Sequence, residues 1–542
     1  MAKLYFASLV TLSLLVAMVA GVVIAGLVAT GAMETGPALV LVVLINGVTF
    51  LISPWLTDLM LRWVNKVQFI DDATLKARYP HVHAIVHDVA RDYRFSAPSI
   101  GIIPDRNPTA FTYGLFRSNA RIVLTDGIFE FLNEEETRAV VAHELGHIVN
   151  RDFLVMTAAG TLVQMLYVLY ASFTRQQRSG GGDSKGKNNL FIVGVAAYVL
   201  YVLGTYVLLY LSRTREYLAD SFAAERVEAR HLANALVKIA YGIAEATDTE
   251  ETRQLLASTR HMGVMDFKGA RHLGLVVEAS RARPEATAEA MLFDIYNPWA
   301  RFVELSSTHP LTGKRIKALS VIAKEKRQAF DDIDVVAAAK RANVNPAALW
   351  RKFVRELGIV ALPTLVFFGV GLMGLASSSP LFAVLAFPAA AVVWAALIPV
   401  VYPFAAPEET DVVSLMGDVA ASPIVGRAVH LKGDVIGRAD AGSVIGEDTI
   451  FADPTGRMTV DFRSLLGPLG DMWAGWRRVA RHIGQKGDVV GWFRRGMGGH
   501  VILSELNTTA GRLKAYPYLA GVSTLLIVFA VILVITGIAS LT

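Results

Sequence analysis

Two histidines four residues apart, with a glutamate directly after the first, form the most informative short pattern in the chain. The string is His143-Glu144-Leu145-Gly146-His147. On a helix, residues four apart lie on one face about one turn apart, so both imidazoles can reach one Zn²⁺ ion. A carboxylate placed directly after the first ligand can take a proton from a water at that metal. The pattern therefore predicts a hydrolytic zinc site in which Glu144 is the catalytic base.

This geometry requires a helix, and the local sequence predicts one. Asn133 is a good N-cap, and Glu136 three residues later completes a capping box. The acidic run 134–136 also complements the positive end of the helix dipole. The sequence therefore predicts that the metal helix begins directly after Asn133.

A catalytic zinc site needs a third protein ligand and keeps its fourth position for water. No third histidine follows the pair closely, so a glutamate on a second helix is the expected solution. Glu216 is the candidate, and Asp220 follows one turn later, where it can accept a hydrogen bond from a ligating histidine. The alternative for Glu216 is an ion pair with a neighbouring arginine. Two intervening membrane spans favour the ligand, because they return the chain to the side that carries His143.

The bulk composition indicates an integral membrane protein. The chain has 542 residues and a mean hydropathy of +0.44. Only 18% of its residues are charged, against about 25% in ordinary soluble domains. The net charge of +5 is spread without a long basic block, which gives nucleic-acid binding no support. The absence of cysteine excludes disulfides, cysteine-ligated zinc and a thiol nucleophile.

Long uncharged runs predict seven membrane-spanning helices, since about 20 apolar residues cross a bilayer. The runs are 4–29, 37–56, 153–173, 190–211, two helices within 357–405, and 516–541. The predicted layout is two transmembrane helices in 1–57, a catalytic domain in 58–356 interrupted by a hairpin at 153–211, two helices in 357–405, a small β-rich cytoplasmic domain in 406–515 and a C-terminal transmembrane helix in 516–542.

The distribution of lysine and arginine predicts that the metal site faces the cytoplasm. Lys3, Arg62 and Lys66 flank the first two spans on that side, against Glu34 in the loop between them. The loop between spans three and four conflicts with this orientation because it is basic. Either the flanking helices overrule the charge bias, or that hairpin does not fully cross.

The segment 406–515 has short β-type runs between glycine and aspartate turns. The string Lys-Gly-Asp-Val-Ile-Gly at 432–437 recurs as Lys-Gly-Asp-Val-Val-Gly at 486–491, which predicts two related hairpins. Between them lies a basic aromatic stretch, which either rests on the anionic membrane surface or is a solvated helix covering the β-domain. Its residues are Trp473, Trp476, Arg477, Arg478 and Arg481.

The strings 143–152 and 212–220, with two apolar spans between them, resemble the M48 family of membrane zinc proteases. The resemblance is greatest to the HtpX-like branch, with CAAX prenyl proteases as more distant relatives, and it covers roughly residues 40–320. It implies a mostly helical zincin-like (gluzincin) catalytic domain on transmembrane helices. The two spans after Glu356, the β-domain and the last span exceed the family pattern. Together they predict an α+β fold, in which the catalytic domain sits on a multi-span transmembrane bundle with a small C-terminal β-domain. The resemblance also implies one Zn²⁺ per chain with Glu216 as third ligand, and an active site facing the cytoplasm.

The resemblance further assigns supporting and substrate-binding roles. Asn150 and Asp152, at the end of the first string, are expected to support the ligands together with Asp220. The family's Asn-Ala-Phe string is represented by Asn107, Ala110 and Phe111, with two residues inserted. With the strand 120–125 around Ile122, these residues are expected to form the edge that binds substrate backbone by strand addition.

A His-Pro string later in the chain completes the expected site. By resemblance, His309 stabilises the oxyanion, and Arg315 downstream contacts substrate. The alternative for His309 is a helix-capping residue before proline. His83 and His87 are also four apart, but Ala84 stands where a base is needed, so they predict no catalytic site.

The function expected from these residues is zinc-dependent hydrolysis of polypeptides, namely membrane or misfolded proteins in quality control. Zinc is preferred on ligand type, although Mn²⁺ or Co²⁺ can replace it in vitro. One alternative is a narrow processing protease that cuts prenylated tails. Another is a membrane scaffold or binding protein with a vestigial site, against which the intact Glu144 counts. The expected partners are these substrates and the bilayer, with no nucleic acid, and the sequence predicts no oligomeric state.

Overall fold

The fold was analysed on a computed structural model that describes most of the chain. The described residues are 2–30, 36–179, 184–245, 285–330, 333–377, 380–439, 447–465, 468–496 and 498–519. They form two compact units: the first holds the described residues up to 245 and 304–330, and the second holds 285–303 and those from 333 onward. Most of the predicted last span, 516–542, lies outside the described residues.

Helices dominate both units. In chain order they are α1 (Ala2–Thr30), α2 (Gly36–Trp63), α3 (Asp72–Arg78), α4 (Pro80–Asp92), α5 (Asp126–Phe131), α6 (Glu134–Val149), α7 (Asp152–Ser179), α8 (Ser184–Arg226), α9 (Ala229–Glu245), α10 (Ala286–Ala290), α11 (Leu292–Tyr296), α12 (Pro298–Glu304), α13 (Thr312–Glu325), α14 (Val335–Arg341), α15 (Pro346–Ser377), α16 (Pro380–Val401), α17 (Val412–Met416) and α18 (Pro468–Arg477).

The strands form one sheet in each unit. They are β1 (Gln68–Ile70), β2 (Ser99–Ile103), β3 (Ala110–Tyr113), β4 (Arg121–Thr125), β5 (Glu408–Glu409), β6 (Arg427–Arg438), β7 (Thr449–Asp453), β8 (Gly456–Asp461), β9 (Lys486–Arg495), β10 (Gly499–Thr508) and β11 (Gly511–Lys514). The sheet of the first unit has the order β1-β2-β4-β3, in which β2 and β4 are parallel and β3 is antiparallel to β4.

The metal helix α6 begins where the sequence predicts. Asn133 Oδ1 accepts the backbone N–H of Glu136 at 2.9 Å, and Glu136 Oε2 accepts the N–H of Asn133 at 2.9 Å. The predicted capping box is therefore confirmed. Lys238 on α9 donates to the same Glu136 carboxylate at 2.7 Å, which ties the start of α6 to its neighbour.

Five helices in the described part of the chain are long and apolar enough to cross a membrane. They are Ala7–Ala25, Asp152–Thr174, Phe191–Arg226, Pro346–Gly374 and Val384–Val401. These include the predicted first, third and fourth spans and the pair within 357–405. The predicted second span is helical within α2 but is not among the five. In the first unit α1 packs on the hairpin of α7 and α8 through an apolar cluster that includes Val22, Leu166 and Phe173.

A closed β-barrel forms much of the second unit. Its strands pair in the order β6-β7-β8-β10-β9, and β9 returns to β6. The pairing of β8 with β10 is parallel and the others in the ring are antiparallel. Helix α18 connects β8 to β9. This is the five-stranded Greek-key connectivity of an OB-fold barrel.

The two copies of the repeated string lie side by side in this barrel. Gly433 in β6 pairs with Gly487 in β9, and each copy lies in the first strand of one hairpin, as predicted. A Cβ atom at Gly433 would lie 2.0 Å from the carbonyl oxygen of Ala452, and one at Gly487 would lie 2.5 Å from that of Asn507. The repeat therefore preserves glycine where neighbouring backbone approaches too closely for any side chain.

The basic aromatic stretch covers the barrel with one face only. Ala474 and Val479 are buried, whereas Trp473 and Trp476 are 51% and 53% exposed. Arg438 of β6 donates to the carbonyl of Gly475 in α18 at 2.8 Å, so the helix contacts the barrel, as the second alternative expects. Contact of the exposed tryptophans with a membrane surface stays a prediction.

Candidate metal centre

Helix α6 brings the two histidines and the adjacent glutamate to one buried place. His143 Nε2 and His147 Nε2 lie 3.2 Å apart, with the two rings almost perpendicular. His143 is fully buried and Glu144 is 2% exposed. The Nε2 atoms face each other because residues four apart share one side of a helix.

Helix α8 supplies the third candidate ligand. Glu216 Oε2 lies 3.5 Å from His143 Nε2, and Glu216 Oε1 lies 3.6 Å from His147 Nε2. The close approach of the two helices depends on Gly146, because a Cβ atom there would lie 3.0 Å from the Cα of Ala219. The glycine between the two histidines therefore lets α8 come close enough to present Glu216.

The spacing of these three side chains fits a tetrahedral cation. Ligand atoms about 2.0–2.1 Å from Zn²⁺ at tetrahedral angles lie about 3.3 Å from one another. The distances of 3.2, 3.5 and 3.6 Å are close to that value. Glu216 Oε2 is buried, and within the described residues it has no hydrogen-bond partner. Two imidazoles and a carboxylate are also a typical ligand set for catalytic zinc.

The charges around the site fit a divalent cation as well. Buried carboxylates outnumber the buried guanidinium groups that contact them. The carboxylates are those of Glu144, Asp152, Glu216 and Asp220, and the guanidinium groups are those of Arg215 and Arg315. Burial alone would lower the pKa of His143, but its contacts with the carboxylates of Asp220 and Glu216 outweigh burial and raise the pKa to about 9.

His143 is oriented from behind by a buried carboxylate. Its Nδ1 lies 3.0 Å from Asp220 Oδ1. Arg315 in turn donates to both oxygens of Asp220, at 2.6 and 2.9 Å. Asp220 therefore lies where the sequence expects a supporting residue.

Arg315 does not lie where substrate contact would place it. It is 1% exposed, and its guanidinium is 3.7 Å from Glu216 Oε2 in addition to its bonds with Asp220. The expectation that Arg315 binds substrate is therefore corrected. Its position is that of a side chain that holds Asp220 and Glu216 in place.

His147 has a similar support on its other side. His147 Nδ1 lies 2.6 Å from Asp152 Oδ2, and Arg215 donates to Oδ1 of the same carboxylate. Arg215 also donates to the carbonyl of Asn150 at 2.5 Å, while the Asn150 side chain accepts from Tyr5 Oη at 2.5 Å. Asp152 thus touches a candidate ligand, whereas Asn150 fixes the turn that carries Asp152.

Glu144 is poised to exchange protons. Burial raises the pKa of its carboxyl, and the neighbouring charges of His147 and His143 partly oppose that shift. A carboxyl whose pKa lies closer to neutrality can both accept and return a proton. This is the property that a general base next to the ligand set needs.

His309 lies at the edge of the ligand set. Its Nε2 is 3.7 Å from Glu216 Oε1, and it is 3% exposed. The loop before it is anchored from α8, because Arg213 donates to the carbonyls of Glu304 and Ser307 at 2.8 and 2.6 Å. This position beside Glu216 is compatible with the expected contact between His309 and a reacting carbonyl.

The expected substrate edge is formed by β3. Ala110 and Phe111 belong to β3, which pairs with β4 on one side and packs against α6. Ile122 belongs to β4, which lies between β2 and β3, so the expectation that its strand forms the edge is wrong. The reason is that β3 folds back antiparallel over β4 and takes the outer position. Asn107 is buried before β3, with no hydrogen-bond partner for its side-chain amide among the described residues.

The supporting role of two arginines in α8 was not predicted from the sequence. Arg213 and Arg215 both precede Glu216 in sequence. Arg213 donates to the loop before His309, and Arg215 donates to the carboxylate of Asp152. A signal was present in the string 212–220, where two arginines adjoin an apolar span. Buried arginine beside a carboxylate is a common device for fixing ligand orientation.

A second group of possible metal ligands lies on the surface. His83 Nε2 and His87 Nε2 on α4 lie 3.4 and 2.6 Å from the carboxylate of Asp72 on α3. This group is well exposed, with 65% of the Asp72 side chain accessible. Among the described residues, no buried carboxylate stands beside it as Glu144 stands beside His143. Zinc bound there would raise the zinc content measured for the purified chain.

Comparisons with known proteins show the family of the chain. The sequence model of peptidase family M48 matches residues 76–323, which include all the residues of the candidate centre. A protease HtpX homologue of Pyrococcus abyssi is 32% identical over 280 residues, covering 51% of this chain and 83% of that protein. The homologue of Methanothermobacter thermautotrophicus is 34% identical over 193 residues, covering 35% and 67%. That of Pyrococcus furiosus is 31% identical over 278 residues, covering 50% and 82%. The chain belongs to peptidase family M48.

Proposed function

We propose that the protein is a zinc-dependent endopeptidase of the membrane. The observation that supports it most strongly is the mutual spacing of 3.2 to 3.6 Å among the donor atoms of His143, His147 and Glu216. Glu144 lies buried beside them on the same helix. Three protein ligands and an adjacent base match the requirement of a hydrolytic zinc site with one position left for water.

The chain's own residues would carry the proton transfers. Bound Zn²⁺ would polarise the scissile carbonyl and activate a water. Glu144 would accept the proton of the attacking water and deliver it to the leaving amine, for which its raised pKa suits it. His309 would donate from Nε2 to the carbonyl oxygen as negative charge develops there.

The substrate proposed for this site is an extended polypeptide. β3 is an edge strand, so its outer backbone groups can pair with a substrate strand. Strand addition recognises backbone more than sequence, which suits unfolded or damaged membrane proteins. We therefore assign the enzyme to membrane-protein quality control, with its zincin-like catalytic domain on the cytoplasmic side and one zinc per chain.

Cleavage by the detergent-purified full chain tests this proposal. Wild type is expected to cut an unfolded, casein-like substrate, and Glu144→Gln is expected to lose this activity while it keeps its zinc. Glu134→Gln is the matched control, because Glu134 is exposed in the first turn of the same helix. It should retain full activity.

Other outcomes would redirect the assignment. Cleavage confined to prenylated C-terminal tails would favour a narrow processing protease. Zinc retention without cleavage of either substrate class would favour a scaffold or binding protein. Activity that survives Glu144→Gln would contradict the proposed base.

A further inference from the structure

A cavity in the first unit carries an unusual concentration of arginine. Its volume is about 870 Å³, within the range of about 300–1,000 Å³ that is typical of ligand pockets. Arg91, Arg94, Arg117 and Arg151 line it. Of these, Arg91 is paired with Asp88 at 2.7 Å. The other three form no ion pair with an acidic side chain in the part of the chain that the structure describes.

Two acidic residues nearby, Asp92 and Asp152, are already engaged elsewhere. Asp92 is paired with Arg226 at 2.5 Å, and Asp152 holds His147 and Arg215. Burial lowers the pKa of the Arg117 guanidinium, and the positive charge of Arg151 lowers it further. Arg117 Nε is buried without a hydrogen-bond partner in the described structure. The cavity therefore has an excess of positive charge and unused donors, which an anion would satisfy.

Part of the cavity wall is apolar. Tyr93, Phe116, Phe153 and Leu154 line it beside the arginines, and Phe116 is 55% exposed. A free inorganic anion would make no use of such walls. A ligand with an anionic head and an apolar body would use both parts of the lining.

The cavity also lies at the level where membrane helices begin. Phe153 and Leu154 are in the first turn of α7, whose apolar span starts at Asp152. The span of α1 starts at Ala7, and Tyr5 just before it donates to Asn150 at 2.5 Å. Two spans thus start beside the arginines, which is the depth at which lipid headgroups lie.

We propose that this cavity binds the headgroup of an anionic phospholipid of the surrounding bilayer. The phosphate would lie among Arg94, Arg117 and Arg151, and the glycerol and upper acyl chains would lie along the aromatic wall. This inference concerns lipid binding alone and does not depend on the metal or on peptide cleavage.

Two arginines of the cavity adjoin residues that support the metal centre, so lipid binding could affect that centre. Arg117 donates to the carbonyl of Val149, the last residue of α6. Arg151 lies directly before Asp152, which contacts His147. A lipid phosphate on these arginines would steady the end of the metal helix. This consequence for activity rests on the proposed function and is separate from binding.

The test measures binding of phosphatidylglycerol to the detergent-purified full chain. Native mass spectrometry detects the bound lipid, and the thermal unfolding midpoint reports the stability that it adds. Phosphatidylcholine and inorganic phosphate are the comparison ligands. Wild type is expected to retain phosphatidylglycerol and to gain thermal stability, with little effect of either comparison ligand. Arg94→Gln/Arg151→Gln is expected to bind phosphatidylglycerol about 25-fold more weakly, since each basic side chain near the headgroup contributes about fivefold.

Two further variants complete the design. Arg106→Gln/Arg138→Gln removes the same charge from elsewhere in the unit, where each arginine pairs with a glutamate, and it should bind lipid as wild type does. Arg117→Gln tests the inner arginine and should also weaken binding. Equal binding of phosphatidylglycerol by wild type and Arg94→Gln/Arg151→Gln would overturn the proposal. So would equally tight binding of phosphatidylcholine or of inorganic phosphate.

Discussion

At the residue scale, the chemistry depends on how two buried carboxylates orient the two histidines. Asp220 lies 3.0 Å from His143 Nδ1, and Asp152 lies 2.6 Å from His147 Nδ1. A carboxylate on the outer nitrogen fixes the tautomer, so the Nε2 atom stays free to bind metal. The histidines are therefore pre-positioned by contacts that the spacing of the motif does not itself provide.

Asp220→Asn should weaken zinc binding by about 10- to 100-fold, because the amide holds His143 in the required tautomer less well. Chelator competition on the purified chain measures this change. Asp88→Asn is a suitable control, since Asp88 is exposed and pairs only locally with Arg91. Unchanged zinc affinity in Asp220→Asn would show that the contact does not support the ligand.

His309→Gln separates oxyanion stabilisation from metal binding. Loss of one donor to a developing oxyanion typically lowers kcat by about 10²- to 10³-fold. The zinc content should stay unchanged, because the ligand set of His143, His147 and Glu216 is complete without His309. Steady-state cleavage kinetics and zinc analysis on the same preparation check both points. If zinc were lost instead, His309 would be a ligand rather than an oxyanion donor.

The sequence named the candidate ligands and both carboxylates that contact them, but it did not identify the arginines behind those carboxylates. The four-residue spacing and a following helix were enough to name His143, His147 and Glu216 as candidates. Arg315 could not be placed in the same way, because its contact with Asp220 joins residues 95 positions apart. Long-range side-chain contacts of this kind depend on how helices pack, and a local pattern does not specify that packing.

At the element scale, the close packing of α6 against α8 assembles the site. Gly146→Ala would add a Cβ atom 3.0 Å from the Cα of Ala219 and so push α8 away from α6. We expect reduced zinc binding and lower stability. Gly160→Ala is the matched control, since nothing lies within 4 Å of a Cβ atom at that position in α7. Equal zinc affinity in the two variants would contradict the argument from close approach.

The β-barrel should show its own pH dependence through Asp448. Burial raises the pKa of Asp448 to about 7, with the charge of Asp461 adding to the shift. The folded state therefore binds a proton more tightly than the unfolded state, whose carboxyl has its ordinary pKa of about 3.9. Stability from this group is full below about pH 4 and is lost as the pH rises to about 7.

Asp448→Asn should remove that slope and make the barrel more stable than wild type at pH 8. The amide oxygen can still accept the N–H of Phe462, which Asp448 accepts at 2.9 Å. Urea unfolding of the full chain at several pH values, followed by tryptophan fluorescence, measures the effect. Asp488→Asn, at a half-exposed position in β9, provides the control. Identical pH profiles for wild type and Asp448→Asn would refute the assignment.

Elements with local signals were predictable, and strand order was not. The capping box of Asn133 and Glu136 and the two hairpins of the repeat agree with the structure. The outer position of β3 and the closure of the barrel through β9 and β6 were not foreseen. Both depend on pairing between strands whose sequences carry no mark of their neighbours.

At the scale of the whole molecule, metal binding and folding should be linked. The ligands come from α6 and from the C-terminal part of α8, which are separated in sequence by α7 and the apolar part of α8. Zinc that binds only the folded arrangement would stabilise it by about 2.7 kcal/mol at a concentration 100-fold above Kd. Chelation should therefore lower the thermal unfolding midpoint, and added Zn²⁺ should restore it. An unfolding midpoint that does not change with chelator would argue against the linkage. So would a zinc-dependent shift of the midpoint that persists in Glu216→Gln.

The match to the family model covers only part of the chain. It ends at residue 323, before the two long helices α15 and α16 and the barrel. Within the second unit, the barrel packs on the end of α16, where Val401 and Tyr402 meet Trp492 and Ile502. The sequence predicted this β-domain and its adjoining spans but could not assign them a role, since no residue pattern there specifies chemistry.

The most direct test of the account is the zinc content of ligand variants in a chain whose surface cluster has been removed. In the His83→Gln/His87→Gln background, the surface histidines cannot add to the count, so about one zinc per chain is predicted. Adding Glu144→Gln should leave that value unchanged, and adding His147→Gln or Glu216→Gln should reduce it sharply under the same chelator. Full zinc retention in both ligand variants would contradict the central claim that His143, His147 and Glu216 hold the metal.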